Sequence, residues 1–351
     1  MRNFLLTFFF GLLLCVVAQA QEPVSIDLNG DIIPHEAIIA RDMQPQDMES
    51  FAVALETLRS EWTAHGPWGG NIRGFATDPI NGMHVVVACG SSTAGNGGMW
   101  FSEDGGVTWN SSNINNKIMY GVTAHPTQAG KFFAGGKYGI YQSTDGGANW
   151  NQIAYPSTTI IGIGVQTANP QLMVAGIASN QGVRYSTDGG VTWNNTNLTT
   201  GFMKDFAVSA ANPSKMFLAV SGTSGSGLFT SVDGASWTPI NPAASGECYG
   251  VYADPANADF LLLGAQFGIF KSIDGGANWT QALATSNFAR GIVKYNNVFR
   301  TVVYGGDIYE SNNNGDTWTV AANTFPEKTW QAVGVSAAGP LFGNWGSIIR
   351  G

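Results

Sequence analysis

The sequence predicts an all-β chain arranged as a seven-bladed β-propeller, and three observations carry that prediction. A short motif recurs six times: SEDGGVTW (102–109), STDGGANW (143–150), STDGGVTW (186–193), SVDGASW (231–237), SIDGGANW (272–279) and SNNNGDTW (311–318). Its Trp residues, at 109, 150, 193, 237, 279 and 318, fall 41, 43, 44, 42 and 39 residues apart, the period of a four-stranded blade. The composition, with 46 Gly, 12% aromatic and only 11% charged residues, suits many short strands joined by tight turns.

The elements follow in order. Residues 1–20 carry Arg2, an apolar run and Ala18-Gln19-Ala20, the pattern of a signal peptide, so we expect cleavage after Ala20 and a secreted chain, extracellular or periplasmic. Cys15 follows Leu14, which departs from a lipoprotein anchor site. Residues 21–60 form an N-terminal extension with one helix expected over 47–60, where Met48, Phe51, Leu55 and Leu58 share a face. The stretch DLNGD at 27–31 imitates the start of a calcium loop, but its twelfth position is Ile38. The propeller is expected over 61–351. Its inner strands open with RGFATDP, YGVTAHP, IGVQTANP, FAVSAANP, YGVYADP and RGIVKYN, each followed by two apolar strands, the repeated motif and a fourth strand. A seventh unit begins WQAVGVSAAGP and stops at SIIRG without a motif. The segment Glu61-Trp62-Thr63 is expected to supply its missing strand, closing the ring and removing open sheet edges.

The motif resembles the Asp box, or BNR repeat, of sialidases, xyloglucanases, sortilin-type receptors and other secreted propellers. In such boxes an acidic or amide side chain closes a turn and Gly supplies positive φ. The resemblance implies that Asp104, Asp145, Asp188, Asp233, Asp274 and Asn313 are structural, on a face remote from the ligand. The resemblance stops short of any one family. Arg73 is followed by Gly74 and Phe75, not by the Ile-Pro of the sialidase signature, and a second propeller of the xyloglucanase kind is missing.

Net charge narrows the partners. The chain carries 24 acidic and 16 basic side chains, a formal −8, which makes nucleic acid and anionic membrane poor partners. Cys89 and Cys248 are expected as buried free thiols. No cofactor and no metal is called for, since His35, His65, His84 and His125 are scattered, and a monomer is expected.

Function must then sit where the repeat leaves positions free. The residues opening the inner strands are read as Arg73, Tyr120, Gly162, Asp205, Tyr249, Arg290 and Gln331, a polar ring at the channel mouth, with Trp68 and Trp330 beside it. Aromatic faces for stacking and planar polar groups for hydroxyls are what sugar recognition needs. We therefore expect Arg73, Tyr120, Tyr249, Arg290, Gln331, Trp330 and Trp68 to bind a glycan. If the chain is a glycoside hydrolase, Asp205 and Glu247 are its carboxylate pair, and Asp205→Asn abolishes turnover with little change in melting temperature. The alternative is a non-catalytic extracellular or envelope scaffold that binds a protein.

Overall fold

The computed structural model describes residues 25–26, 32–33, 63–66, 70–90, 97–222, 225–242, 245–321, 328–345 and 347–351. The leader, the helix expected over 47–60 and Trp68 lie outside them. The chain divides into two compact units, Met1–Glu61 and Trp62–Gly351. In the first, Ser25–Ile26 pairs antiparallel with Ile32–Ile33.

The second unit is a ring of seven four-stranded antiparallel sheets. Six blades take their strands consecutively, beginning with the inner strands Ile72–Thr77, Met119–Ala124, Ile160–Val165, Phe202–Val208, Cys248–Ala253 and Ala289–Tyr295. The seventh runs Ala332–Ser336, Gly339–Gly343, Ile348–Arg350, and its outer strand is Thr63–His65 from the other end of the sequence. Thr63 faces Arg350, Ala64 faces Ile349 and His65 faces Ile348. The expected closure is thus formed, and the ring has no blade left short of a strand.

Packing follows from the layering of blades. The second strands Val85–Cys89, Phe132–Gly136, Met173–Ile177, Met216–Ser221, Leu261–Ala265 and Gly339–Gly343 are buried at every position. Neighbouring blades cover both of their faces, so these strands read as continuous apolar runs instead of alternating ones. Cys89 and Cys248 are free and buried in this core, and burial pushes both thiols up to about 12. Nearer the axis the blades converge until only small residues fit. A Cβ on Gly250 would stand 2.7 Å from the Cα of Gly291, and one on Gly74 would meet the Cα of Gly121 at 3.6 Å.

The repeated motif is a self-contained turn between third and fourth strands. In the first copy Ser102 Oγ donates to Asp104 Oδ1 (2.8 Å) and accepts from Gly106 N (2.8 Å), Asp104 Oδ1 accepts from Thr108 N (2.9 Å), and Trp109 Nε1 donates to Gly106 O (3.1 Å). The short fourth copy keeps the scheme one residue earlier, with Gly234 N on Ser231 Oγ and Ser236 N on Asp233 Oδ1. In the sixth, Asn313 Oδ1 takes the bonds from Ser311 Oγ (2.9 Å) and Thr317 N (3.0 Å), so the turn needs an acceptor there and not a charge. Burial works against the Asp104 carboxylate, yet hydrogen bonds from Thr108 and Ser102 outweigh it and hold it near about 2. Bonds led by Thr192 and Asn278 do the same for Asp188 and Asp274. Among the described residues no group of three or more His, Cys, Asp or Glu could hold a metal ion.

Antiparallel order assigns the faces. Turns between third and fourth strands share one face with the first-to-second turns, while inner-strand starts and second-to-third turns share the other.

Candidate functional site at the channel mouth

The inner strands do not enter their sheets in register. Each of the first six blades carries an irregularity near the start of its ladder, between Ile72 and Gly74, Met119 and Gly121, Ile160 and Gly162, Met203 and Asp205, Cys248 and Gly250, and Arg290 and Ile292. A bulge of this kind breaks the two-residue alternation and re-aims one side chain. Arg73, Tyr120, Ile161, Lys204, Tyr249, Arg290 and Gln331 all line one funnel of about 780 Å³.

In blades three and four the residues at the irregularity are Ile161 and Lys204, one before the expected Gly162 and Asp205, which line the same funnel from the next position. The first turns of blades one to five all hold seven residues, but the Pro stands second in blades one, two and five (Pro79, Pro126, Pro255) and fifth in blades three and four (Pro170, Pro213), so counting back from it slips the register. The glycine column gives it correctly. Gly74, Gly121, Gly162, Gly250 and Gly291 follow the funnel residue in their blades, and Asp205 stands in that column in blade four. At this crowded position its carboxylate bridges two blades. Oδ1 accepts from Phe206 N (2.8 Å) and Oδ2 accepts from Val251 N of blade five (2.9 Å). Burial raises it to about 6 even against those two bonds.

Glu247 precedes the inner strand of blade five and accepts the Tyr249 hydroxyl at Oε2 (2.6 Å). It is not among the residues lining the funnel, whereas Asp205 contributes to the wall. The two carboxylates therefore do not face a common space. With both Asp205 oxygens engaged by backbone amides, Asp205→Asn would set an NH₂ group against an N–H donor, so the expectation of an unchanged melting temperature is withdrawn.

The funnel instead gathers cations. Arg73 of blade one lies over the ring of Tyr120 (5.8 Å). Arg290 of blade six lies between Tyr249 (5.8 Å) and Tyr304 (5.0 Å), and Phe288 packs against both of those tyrosines at 4.8 and 6.0 Å. Lys204 stands over Phe202 (5.8 Å) and Tyr249 (6.0 Å). Asn71, with its amide oxygen turned inward, accepts from Arg73 Nε and Nη2 at 3.1 and 3.0 Å. Among the described residues, ion pairs form at Lys271–Asp316, Lys294–Asp254, Arg300–Glu310 and Lys328–Asp307, and none involves a funnel cation. Arg290 Nε is buried without a hydrogen-bond partner.

These side chains are recessed and wet together. Arg73 and Lys204 stay exposed to water, yet protein surrounds them on the funnel wall and lowers their proton affinity. Burial is the largest cause for Arg73, Lys204 and Arg290 alike. Repulsion from Arg290 and Arg73 then depresses Lys204 further, with Glu247 opposing, and Arg73 depresses Arg290.

Of the other expected contacts, Trp330 is corrected. It is fully buried, with Phe342 at 6.4 Å, in the core shared by Val302, Ile308 and Ile349. A ring without exposed surface cannot meet a ligand there. Among the described residues, the exposed aromatics of this face are in the second-to-third turns: Tyr138 (51%), Phe267 (45%) and Trp345 (56%). Sequence reading missed Lys204, Phe202, Phe288 and Tyr304. The signal for Lys204 was the dipeptide column RG, YG, IG, KD, YG, RG, QA.

No protein-family model and no curated protein matches the chain. Among solved structures it is similar to an ancestral GH74 enzyme (18% identity, TM-score 0.56, covering 77% of this chain and 40% of that one). It is also similar to YCF48 bound to D1 peptide (19%, 0.61, 83% and 96%), and to the extracellular domain of BT4673 from B. thetaiotaomicron (10%, 0.64, 83% and 40%). At these identities the likeness establishes the propeller fold. The chain spans less than half the length of the GH74 enzyme and of the BT4673 domain.

Proposed function

We propose that this chain is a secreted binding propeller that receives a glycan at its channel mouth without hydrolysing it. The observation that carries the reading is the funnel itself, where seven blades converge guanidinium, ammonium, phenol and amide groups in one space. Guanidinium and amide groups match hydroxyl and carboxylate oxygens. The exposed rings of Tyr138, Phe267 and Trp345 on the same face offer flat apolar surface for sugar rings. Catalysis is set aside because glycoside hydrolysis needs two carboxylates flanking one bond, while Asp205 is tied into the wall and Glu247 is bonded to Tyr249. The GH74 neighbours support carbohydrate as the ligand class, and the leader-like sequence of residues 1–20 supports export.

A screen of the purified chain against polysaccharides, with parallel measurement of released reducing ends, tests this. The expected outcome is binding without release, lost in Arg290→Ala and kept in Asp274→Asn on the opposite face. Reducing ends released by the wild type would overturn the non-hydrolytic reading, and silence of a folded protein toward every glycan would overturn the glycan.

The second reading is a protein-binding scaffold. It is favoured by one finding: a neighbour matched over 96% of its own length is a structure bound to a peptide.

A further inference from the structure

We infer that Arg73, Lys204 and Arg290 form an anion subsite at the bottom of the binding face, and that the glycan it takes is acidic, with one carboxylate-bearing sugar seated between the three cations. The inference rests on the funnel being the ligand site and adds the charge of what enters it.

Four observations converge. The chain has an excess of acids over bases, with 24 against 16, yet three cations from blades one, four and six line one funnel of about 780 Å³. Like charges gathered in a partly dry space repel one another, and proteins ordinarily relieve this with carboxylates. Here the nearest candidates are engaged elsewhere: Asp205 accepts two backbone amides, and Glu247 accepts the Tyr249 hydroxyl. None of the three cations has an ion-pair partner among the described residues, although four other Lys and Arg do. Arg290 Nε is also left without an acceptor in a buried position. Finally, the tyrosines beneath the guanidiniums fix their planes by cation–π contact; Asn71 holds the Nε–Nη2 edge of Arg73, and its Nη1 side faces no carboxylate among the described residues.

The shape of the charge selects the ligand. Two planar forks and one ammonium suit a single carboxylate, which a guanidinium can grip bidentately. A dense polyanion such as nucleic acid would meet the acidic remainder of the surface outside the funnel. A sugar chain with isolated carboxylates avoids that penalty, and its uncharged rings can lie on the exposed Tyr138, Phe267 and Trp345 of the same face. The site differs from one made of arginines alone, because the third cation is a lysine whose position follows from the bulge in blade four.

The test compares an oligogalacturonide with its methyl ester of equal length, by calorimetric titration of the full chain. The ester keeps the sugar and removes the charge. We expect the acid to bind at least about tenfold more tightly, weakening as salt rises, and to raise the melting temperature of the wild type but not of Lys204→Met or Arg290→Gln. Both variants must melt cooperatively. They remove cations from a repulsive cluster, so the fold tolerates them, and the thermal shift by ligand reads out the wild type independently. Equal binding of acid and ester would overturn the anion subsite while leaving the funnel as a glycan site. Binding of neither, by a folded protein that takes up a neutral polysaccharide lost on Arg290→Ala, has the same meaning. Binding of no glycan at all overturns both readings, and tighter binding of an acidic peptide such as polyglutamate overturns the sugar.

Discussion

The two faces of the ring are made by the same strands and treat polar groups in opposite ways. On the turn face each motif closes on itself: a Ser hydroxyl, an Asp or Asn oxygen and two or three backbone amides satisfy one another within eight residues, joined in the first five copies by the Trp N–H. The polar groups of the turn are spent on the turn itself, and six copies repeat because six blades face the same reversal. On the funnel face the side chains differ from blade to blade, and three cations stand without carboxylate partners among the described residues. The difference teaches that regularity marks what the fold needs, while the departures from it, Lys204 and Asp205 in blade four above all, mark where a function can be written.

The comparison breaks if damage to the turn face reaches the ligand. Trp237→Ala empties a site 3% exposed under the fourth turn and should cost about 3–5 kcal/mol, read by denaturant titration. Glycan affinity should not change below the transition.

The faces should also answer pH with opposite signs. The turn aspartates are depressed in the fold, so their contribution is present above the ordinary carboxylate value of 3.8 and is lost as pH falls toward about 2. Asp205 is raised from 3.8 to about 6. The folded state therefore holds its proton more tightly than the unfolded state, and that contribution is complete below 3.8 and lost as pH rises through about 6. Asp205→Asn removes this dependence. The stability advantage of wild type over the variant should shrink by roughly 2 kcal/mol between pH 4 and pH 7, followed by melts across that range. A constant difference would mean the carboxylate is solvated.

The smallest effect sharpens the contrast most. Lys204→Met removes a charge that two arginines repel, and should raise the melting temperature by roughly 1–2 °C while abolishing the acid-specific part of binding. A fall in melting temperature would show that Lys204 serves the fold.

How much was legible follows from the same division. Six blades were readable because they repeat one turn chemistry at near-constant spacing, and the seventh and its closing strand because a further inner-strand opener follows the last motif while Glu61-Trp62-Thr63 precedes the first. The identities of Arg73, Tyr120, Tyr249 and Arg290 as funnel residues were readable where the following Gly fixed the register, and Gln331 was readable from the matching start of its strand, where Ala332 follows. Blades three and four slipped because their Pro falls three positions later in a first turn of unchanged length. Trp330 was misplaced because an aromatic next to a polar ring can turn into the core, as this one does between blades six and seven. The stacking of Arg290 on Tyr304 needed the strand positions in space.

The pairing of Thr63–His65 with Ile348–Arg350 also sets an order in time. Each of the first six blades is a run of adjacent hairpins that can form as the chain emerges, but the earliest strand of the ring waits for the latest to be made. Until then two sheet edges stand open, and the final step is a single closure spanning nearly all of the ring's sequence. Those open edges make the interval before closure the stage at which the chain is most exposed to pairing with another copy.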